Sequence, residues 1–372
     1  MRNAIFCLFS FSVLISCRSD VKKSTAWWVY ANPGRTVLYW IDPLAADTAK
    51  VPVPKGVHHI IAGEWAYFAE GGLHEQNSGR IRRVNQQREE ELLDFMAPGP
   101  GAQTQEWDVS QDGKKIAWKR FIPKGASNFA GTYELYVANL ADRVPRLVWS
   151  AAYTGLAPQL LGFSPDGADI FVHENNWDYG PAGGLFKVNV QDKTITVFFR
   201  DRAHFPSVAF DQQGSKLAVF PGERTDKLIM IDLETNQLMD VPEVSFAFDR
   251  SILMSYGEGA MEERIDVEQA WFLPAGTRLL CELDTDEGHP YGLYLLDVQS
   301  GKSRKLLGLY TENVHARVAC FENGGGPALI TFWNDEGYEI PGTFRLSPDG
   351  AVSTFSGLDR VSGLTLIGVS KS

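Results

Sequence analysis

The chain has 372 residues, with 35 Lys and Arg against 46 Asp and Glu, a formal net charge of −11, and 44% hydrophobic residues. That balance leaves no cationic footprint of the kind a phosphate backbone requires, which excludes nucleic acid as a partner. Aromatics at 12%, with 35 Gly and 19 Pro, fit many short strands joined by tight turns; with no long amphipathic period to interrupt them, the class is all-β.

Residues 1–17 read MRNAIFCLFSFSVLISC, an apolar run with Arg2 as its sole charge. The run is too short to cross a bilayer and has the shape of a secretory signal. Leu14, Ile15, Ser16 and Cys17 resemble the lipobox of bacterial lipoproteins. The resemblance implies cleavage before Cys17, lipids on its thiol and new amino group, and a place in the bacterial cell envelope, on a periplasmic or surface face. Residues 1–16 are then the signal peptide, 17–25 a tether, and the lipid the sole contact with the membrane. An ordinary signal peptide with a coincidental cysteine is the plainer alternative. Loss of Arg2 leaves 34 basic against 46 acidic residues, a formal −12. Cys7 leaves with the signal, and Cys281 and Cys320 fall on strands of neighbouring repeats. They could bridge in an exported protein, but two buried thiols is the preferred reading, because strand cysteines rarely meet disulfide geometry by chance.

The stretch 161–174, LGFSPDGADIFVHE, is the unit that the rest of the chain repeats. Phe163 ends a strand, Ser164, Pro165, Asp166 and Gly167 make a type I turn with glycine in the left-handed position after it, and a second strand follows. Related hairpins stand at 107–119 (WDVSQDGKKIAWK), 208–220 (VAFDQQGSKLAVF) and 270–282 (AWFLPAGTRLLCE), with a looser one at 318–332. Short strands ending in Asp, Asn or Ser give an independent count: LYWID, IRRVN, LYVAN, LFKVN, IMID, LYLLD and TFRLS, the last closing at Ser347. Each polar terminal residue can bond amides of the next turn. The repeat is therefore four strands, A to D from the inside out, in a seven-bladed β-propeller spanning residues 26–370. The first blade lacks an A strand, and 363–370 (GLTLIGVS) supplies it, closing the ring.

The chain resembles the TolB-type, WD40-like propeller repeats, marked by a strand, SPDG and a second strand. Ser164 to Gly167 matches fully and in phase, whereas the SPDG beginning at Ser347 falls in a C to D turn. The resemblance implies a propeller in a bacterial envelope and fixes no reaction, since such repeats serve partner-binding scaffolds and enzymes alike.

In such a blade the A to B and C to D turns share one end, and the B to C and D to A connections the other. The second set is expected to be long: 69–79 (AEGGLHEQNSG), 120–131 (RFIPKGASNFAG), 173–184 (HENNWDYGPAGG), 283–292 (LDTDEGHPYG) and 333–342 (WNDEGYEIPG). Loops of that length on a rigid scaffold usually bind something. His173, Trp177, Asp178, Tyr179, Asp286, Glu287, Tyr291, Trp333, Asp335 and Tyr338 form the expected ligand face, in which rings beside carboxylates would suit a glycan or a cationic segment of an envelope protein. The plainer alternative is that each ring packs under its own loop. The connection 242–267 is longer still and is expected as a lid or rim on that same end.

No GxSxG, HExxH, Walker or GxGxxG motif occurs, which disfavours triad hydrolysis. Asp284, Asp286, Glu287 and Gly288 form only part of a calcium loop. Aligning the repeats on the apolar residue four before the turn glycine puts His204, Asp266 and His315 at one position of three successive inner strands, a ligand set sound for zinc, manganese or iron. Seven-bladed polysaccharide lyases with a similar repeat carry a histidine-rich metal site in the channel mouth; a local hydrogen bond for each residue is the alternative. The expectation is a monomeric, lipid-anchored, non-catalytic binding or scaffold propeller without a cofactor. The alternative is a metal-dependent carbohydrate-active enzyme.

Overall fold

The computed structural model describes residues 26–371 apart from 33–35, 42–47, 54–55, 71–79, 126–129, 154–155, 177–183, 200–206, 212, 221–226, 247–264, 274, 286–291, 309–313, 322–327, 335–338, 348–350 and 355–364. Among the described residues the strands make seven four-stranded antiparallel sheets. The first holds β1 (Ala26–Ala31), β2 (Val37–Ile41) and β3 (Thr48–Pro52), with the final strand β28 (Thr365–Lys371) paired to β1 from the other side. Sheet 2 is β4 (Gly56–Ala62), β5 (Trp65–Glu70), β6 (Ile81–Asn85) and β7 (Glu90–Leu92), and sheet 3 is β8 (Gln103–Val109), β9 (Lys115–Pro123), β10 (Gly131–Asn139) and β11 (Arg146–Ala152). Sheet 4 is β12 (Leu156–Phe163), β13 (Asp169–Asn176), β14 (Leu185–Asn189) and β15 (Ile195–Phe199). Sheet 5 is β16 (Ser207–Phe210), β17 (Lys216–Phe220), β18 (Ile229–Asp232) and β19 (Gln237–Met239). Sheet 6 is β20 (Ile265–Phe272), β21 (Arg278–Thr285), β22 (Gly292–Asp297) and β23 (Ser303–Gly308), and sheet 7 is β24 (Val314–Phe321), β25 (Ala328–Asn334), β26 (Glu339–Leu346) and β27 (Val352–Thr354).

The short strands with polar ends are the third strands of these sheets, and the polar residue does the work expected of it. Asn85 Oδ1 accepts the amides of Gln87 and Glu89, Asn189 those of Gln191 and Asp192, and Asp232 those of Glu234 and Thr235. Asn139 differs: Asp142 caps the Val144 amide in its turn. At the end of the third strand of sheet 7, Ser347 Oγ likewise accepts the Ala351 amide.

Between first and second strands the turns are built alike. The amides of Gly113, Gly167, Gly214 and Gly276 donate to the carbonyls of Ser110, Ser164, Asp211 and Leu273, at 2.8, 2.8, 3.1 and 2.8 Å, and each glycine has φ between 65° and 71°. Ser164 Oγ donates to Asp166 at 2.6 Å and accepts the Asp169 amide, and Ser110 repeats this with Asp112 and Lys115. Successive turns also touch. A Cβ on Gly113 would lie 2.9 Å from the Ala62 carbonyl oxygen, one on Gly167 would meet Ser110 at 3.3 Å, and one on Gly214 would meet Pro165 at 3.2 Å. Lys115 Nζ ties two turns together by donating to the Gly167 carbonyl at 2.6 Å. The turns of sheets 2 to 6 thus form one packed rim.

Each interval from sheets 1–2 to sheets 6–7 holds its own apolar core. Trp40 and Phe68 lie between sheets 1 and 2, and Tyr67, Met96 and Trp118 between sheets 2 and 3. Val137 with Phe186 fills the interval of sheets 3 and 4, and Phe171 with Leu217 that of sheets 4 and 5. Phe220 with Tyr294 lies between sheets 5 and 6, and Leu280 with Ile330 between sheets 6 and 7. β28 lies against β4 of sheet 2 on one side and β24 and β26 of sheet 7 on the other. Face-to-face sheets arranged this way, with first strands inward, are the architecture of a β-propeller.

The connection after β19 begins differently from expectation. Ser245 pairs in parallel with Lys302 at the outer edge of sheet 6, exchanging backbone bonds with Gly301 and Ser303, and Val244 and Phe246 enter the core between sheets 5 and 6. The described start of this segment is therefore an outer wedge at the short-turn end. Its remainder, 247–264, lies outside the described residues.

Two consequences can be measured. Gly113→Ala and Gly276→Ala share the left-handed strain of about 1–2 kcal/mol, but only Gly113 faces a backbone atom at 2.9 Å, the nearest atom to Gly276 being 3.9 Å away. Urea unfolding should find Gly113→Ala the more destabilised, and equal losses would disprove the turn-on-turn contact. Deleting residues 363–372 removes β28 and bares the edge of β1, so solubility and cooperative melting should both suffer.

Candidate functional site

At the end opposite the turn rim, second and third strands run further into their connections than the sequence predicts. β9 and β10 pair out to Pro123 and Gly131, and β25 and β26 out to Trp333 and Glu339. Lys124 then closes its connection by donating its amide to the Ala130 carbonyl at 2.7 Å. Phe121, Tyr133 and Tyr153 form one cluster at this end of sheet 3, with centroids 4.8 to 6.4 Å apart, so here the rings hold down their own loop.

The structure distributes the expected ligand face as follows. His173 lies on β13 and is fully buried, on the same strand face as Phe171, so its imidazole is withdrawn from solvent. Trp333 lies on β25 opposite His315 of β24. Trp177, Asp178, Tyr179, Asp286, Glu287, Tyr291, Asp335 and Tyr338 lie outside the described residues, as do Cys17 and His204. Asp266 and His315 are each the second residue of their inner strand, β20 and β24, in neighbouring sheets. Their backbones are therefore equivalent in the repeat, as the alignment requires. Among the described side chains no three His, Cys, Asp or Glu gather within reach of a metal. Cys281 carries a free thiol in the core between sheets 5 and 6, on the side away from sheet 7, and burial raises its pKa far above the usual thiol range.

A polar constellation that the sequence reading missed joins the inner strands of sheets 3 and 4. The first strand carries a bulge in its pairing with the second in six of the seven sheets. In β12 the bulge lies between Leu160 and Gly162, which turns backbone amides toward β8. Glu106 Oε2 accepts the Leu160 amide at 2.6 Å, and Asp108 Oδ2 accepts the Phe163 amide at 2.9 Å. Lys119 Nζ, buried on β9, donates to Glu106 Oε1 at 2.8 Å and to the Pro158 carbonyl at 2.5 Å. The adjoining crevice, lined by Lys119, Leu135, Trp149, Pro158, Leu160 and Val172, has a volume of about 10 Å³, room for one water. It is a structural clamp between blades. A signal for it was available: Lys119, His173 and Glu282 each stand six residues after a turn glycine, and all three are buried.

Neither a protein-family model nor a curated protein sequence matches the chain. Solved structures do. An oligogalacturonate lyase in complex with manganese superposes with a TM-score of 0.55 at 10% identity, over 79% of this chain and 79% of that one. A prolyl endopeptidase gives 0.59 at 12% identity, over 94% of this chain and 49% of that one. The periplasmic gluconolactonase of Pseudomonas aeruginosa gives 0.53 at 11% identity, over 92% and 97%. The chain is a β-propeller. Identities this low carry the fold and no more, and propellers of this shape include enzymes of different chemistry.

The clamp makes a pH prediction. Burial is the largest effect on Asp108 and pushes its carboxyl up to about 6, against the opposing pull of the Phe163 and Val109 amides. A carboxyl whose pKa is higher folded than unfolded binds more protons in the native state, so stability falls as pH rises from about 4 to 6. Asp108→Asn keeps an acceptor for the Phe163 amide and removes that slope. It should stabilise the propeller at pH 7.5 by about 1–3 kcal/mol and leave it nearly unchanged at pH 4. Parallel stability curves for parent and variant across that range would refute the assignment.

Proposed function

We propose that this propeller is a lipid-anchored protein of the bacterial cell envelope, with its seven sheets as the blades of one ring clasped by β28. It acts as a non-catalytic binding or scaffold module through the end that carries the long connections. The run of six interblade cores and the position of β28 between sheets 2 and 7 support the ring. The observation that carries the binding reading is the contrast between the two ends. Turns at one end are packed on one another, with serine and aspartate side chains absorbed in closing the turns themselves. Connections at the other carry Trp177, Tyr179, Tyr291 and Tyr338 among carboxylates. A rigid scaffold with one self-satisfied end leaves recognition to the other.

Affinity capture from envelope extracts tests this with the parent and with variants whose 71–79 or 177–183 connection is replaced by a short Gly-Ser link. The variants should lose partners that the parent retains, and identical sets would sink the reading. Cys17→Ser should move the protein from the membrane to the soluble envelope fraction, because the remaining −12 surface attracts anionic lipid weakly. Unchanged partition would mean that something else holds it.

A second reading, a metal-dependent carbohydrate-active enzyme, is favoured by the equivalent placement of Asp266 and His315 on neighbouring inner strands. The manganese-bound oligogalacturonate lyase shares this fold. Metal content of the purified protein, with an ultraviolet assay for unsaturated sugar products, separates the two readings. Stoichiometric manganese or zinc that disappears in a His204→Ala, His315→Ala double variant would favour the enzyme.

A further inference from the structure

Among the described residues the large apolar side chains left exposed are not scattered. Val144, Leu147, Ile195, Val197, Leu238, Met239 and Val352 all lie on fourth strands or the turns leading into them, and Ile122 alone lies elsewhere. Fourth strands begin at the short-turn end, so Val144 at 57% exposure, Ile195 at 48% and Leu238 at 50% sit on the outer rim of that end, on the consecutive sheets 3, 4 and 5. Val352 occupies the same place on sheet 7.

The chain enters the fold at this end too. β1 is a second strand, and Ala26 pairs with Lys371, the last residue of the first strand β28, so both termini of the folded part emerge beside the turn rim. Residues 18–25 are all that separates Ala26 from Cys17, a reach of at most roughly 30 Å. We infer that the short-turn end is a membrane-facing surface: its apolar rim rests in the headgroup region of a bilayer, and the long connections project away from it.

The inference rests on the anchor at Cys17 proposed above, and it adds an orientation that the anchor does not dictate. A tether of that length would let the domain tumble, and the rim selects one face. Charge does not decide it: Arg143 is offset by Glu91 and Lys114 by Asp112, and the chain as a whole is net negative. Contact should therefore be insensitive to salt and to anionic lipid, in contrast to a basic surface patch.

The test couples Cys17 chemically to a maleimide-headgroup lipid in phosphatidylcholine vesicles, so its outcome does not depend on whether the cell acylates that residue. A chain starting at Cys17 retains every strand of the fold; it carries Cys320→Ser, and Cys281 is fully buried. Lysine acetylation read by mass spectrometry then compares vesicle-bound with free protein. Exposed Lys114 and Lys193 mark the short-turn end, and exposed Lys124 marks the opposite one. Acetylation of Lys114 and Lys193 should fall severalfold on vesicles while that of Lys124 holds. Uniform reactivity, or protection of Lys124 instead, overturns the inference. An Ile195→Lys, Leu238→Lys variant at exposed positions should fold, melt like the parent and lose the protection; protection that persists would show that the rim is not the contact. Failure of Cys17→Ser to release the protein in cells would count against the anchor alone.

Discussion

Everything in this molecule depends on the stacking of one tight turn against the next. The turn glycines are left-handed, and the same positions meet the neighbouring sheet's turn so closely that a Cβ would strike the Ala62 carbonyl at Gly113 and press on Pro165 at Gly214. Backbone conformation and blade spacing are thus fixed by a single residue type. The turns carry their own hydrogen-bond partners in Ser110, Ser164 and Asp211, which accept the amides of Lys115, Asp169 and Lys216. Among the described residues, the large apolar side chains exposed at the short-turn end lie on its outer edge.

A second constraint follows from packing twisted sheets face to face with their first strands inward. Bulges in six of the pairings of first with second strands turn backbone groups out of their own ladder. Between sheets 3 and 4 those groups are met by Glu106, Asp108 and the buried Lys119, so an ionic cluster that reads chemically like an active site is accounted for by backbone amides and carbonyls. Burial of polar residues in this interior is therefore weak evidence for catalysis. The functional argument belongs to the ends of the propeller.

Those ends differ in what they can do. Strands lengthen into the connections at the loop end, and the Phe121, Tyr133 and Tyr153 cluster shows how one such connection is held by its own rings. The described start of the connection after β19 lies at the short-turn end, because Val244 and Phe246 pack into the core between sheets 5 and 6 and the backbone of Ser245 pairs with the outer edge of sheet 6 at Gly301 and Ser303. Edge satisfaction and apolar burial outweigh the simple geometry of successive blades.

The sequence by itself determined the repeat. A left-handed glycine after Ser-Pro-Asp and an Asx or Ser at each third strand's end are local requirements of turn chemistry, so Gly167, Asn85, Asn189 and Asp232 could be read without neighbours, and the pairing of β28 with β1 followed from counting strands. What only the tertiary structure decided is which groups a neighbouring blade makes necessary. Glu106 and Asp108 look like ordinary surface carboxylates until the bulge of β12 presents amides to them, and His173 looks like a loop residue until β13 extends past it and buries it. Such contacts join residues more than fifty positions apart through backbone atoms that carry no sequence signature, and a one-dimensional pattern cannot encode them.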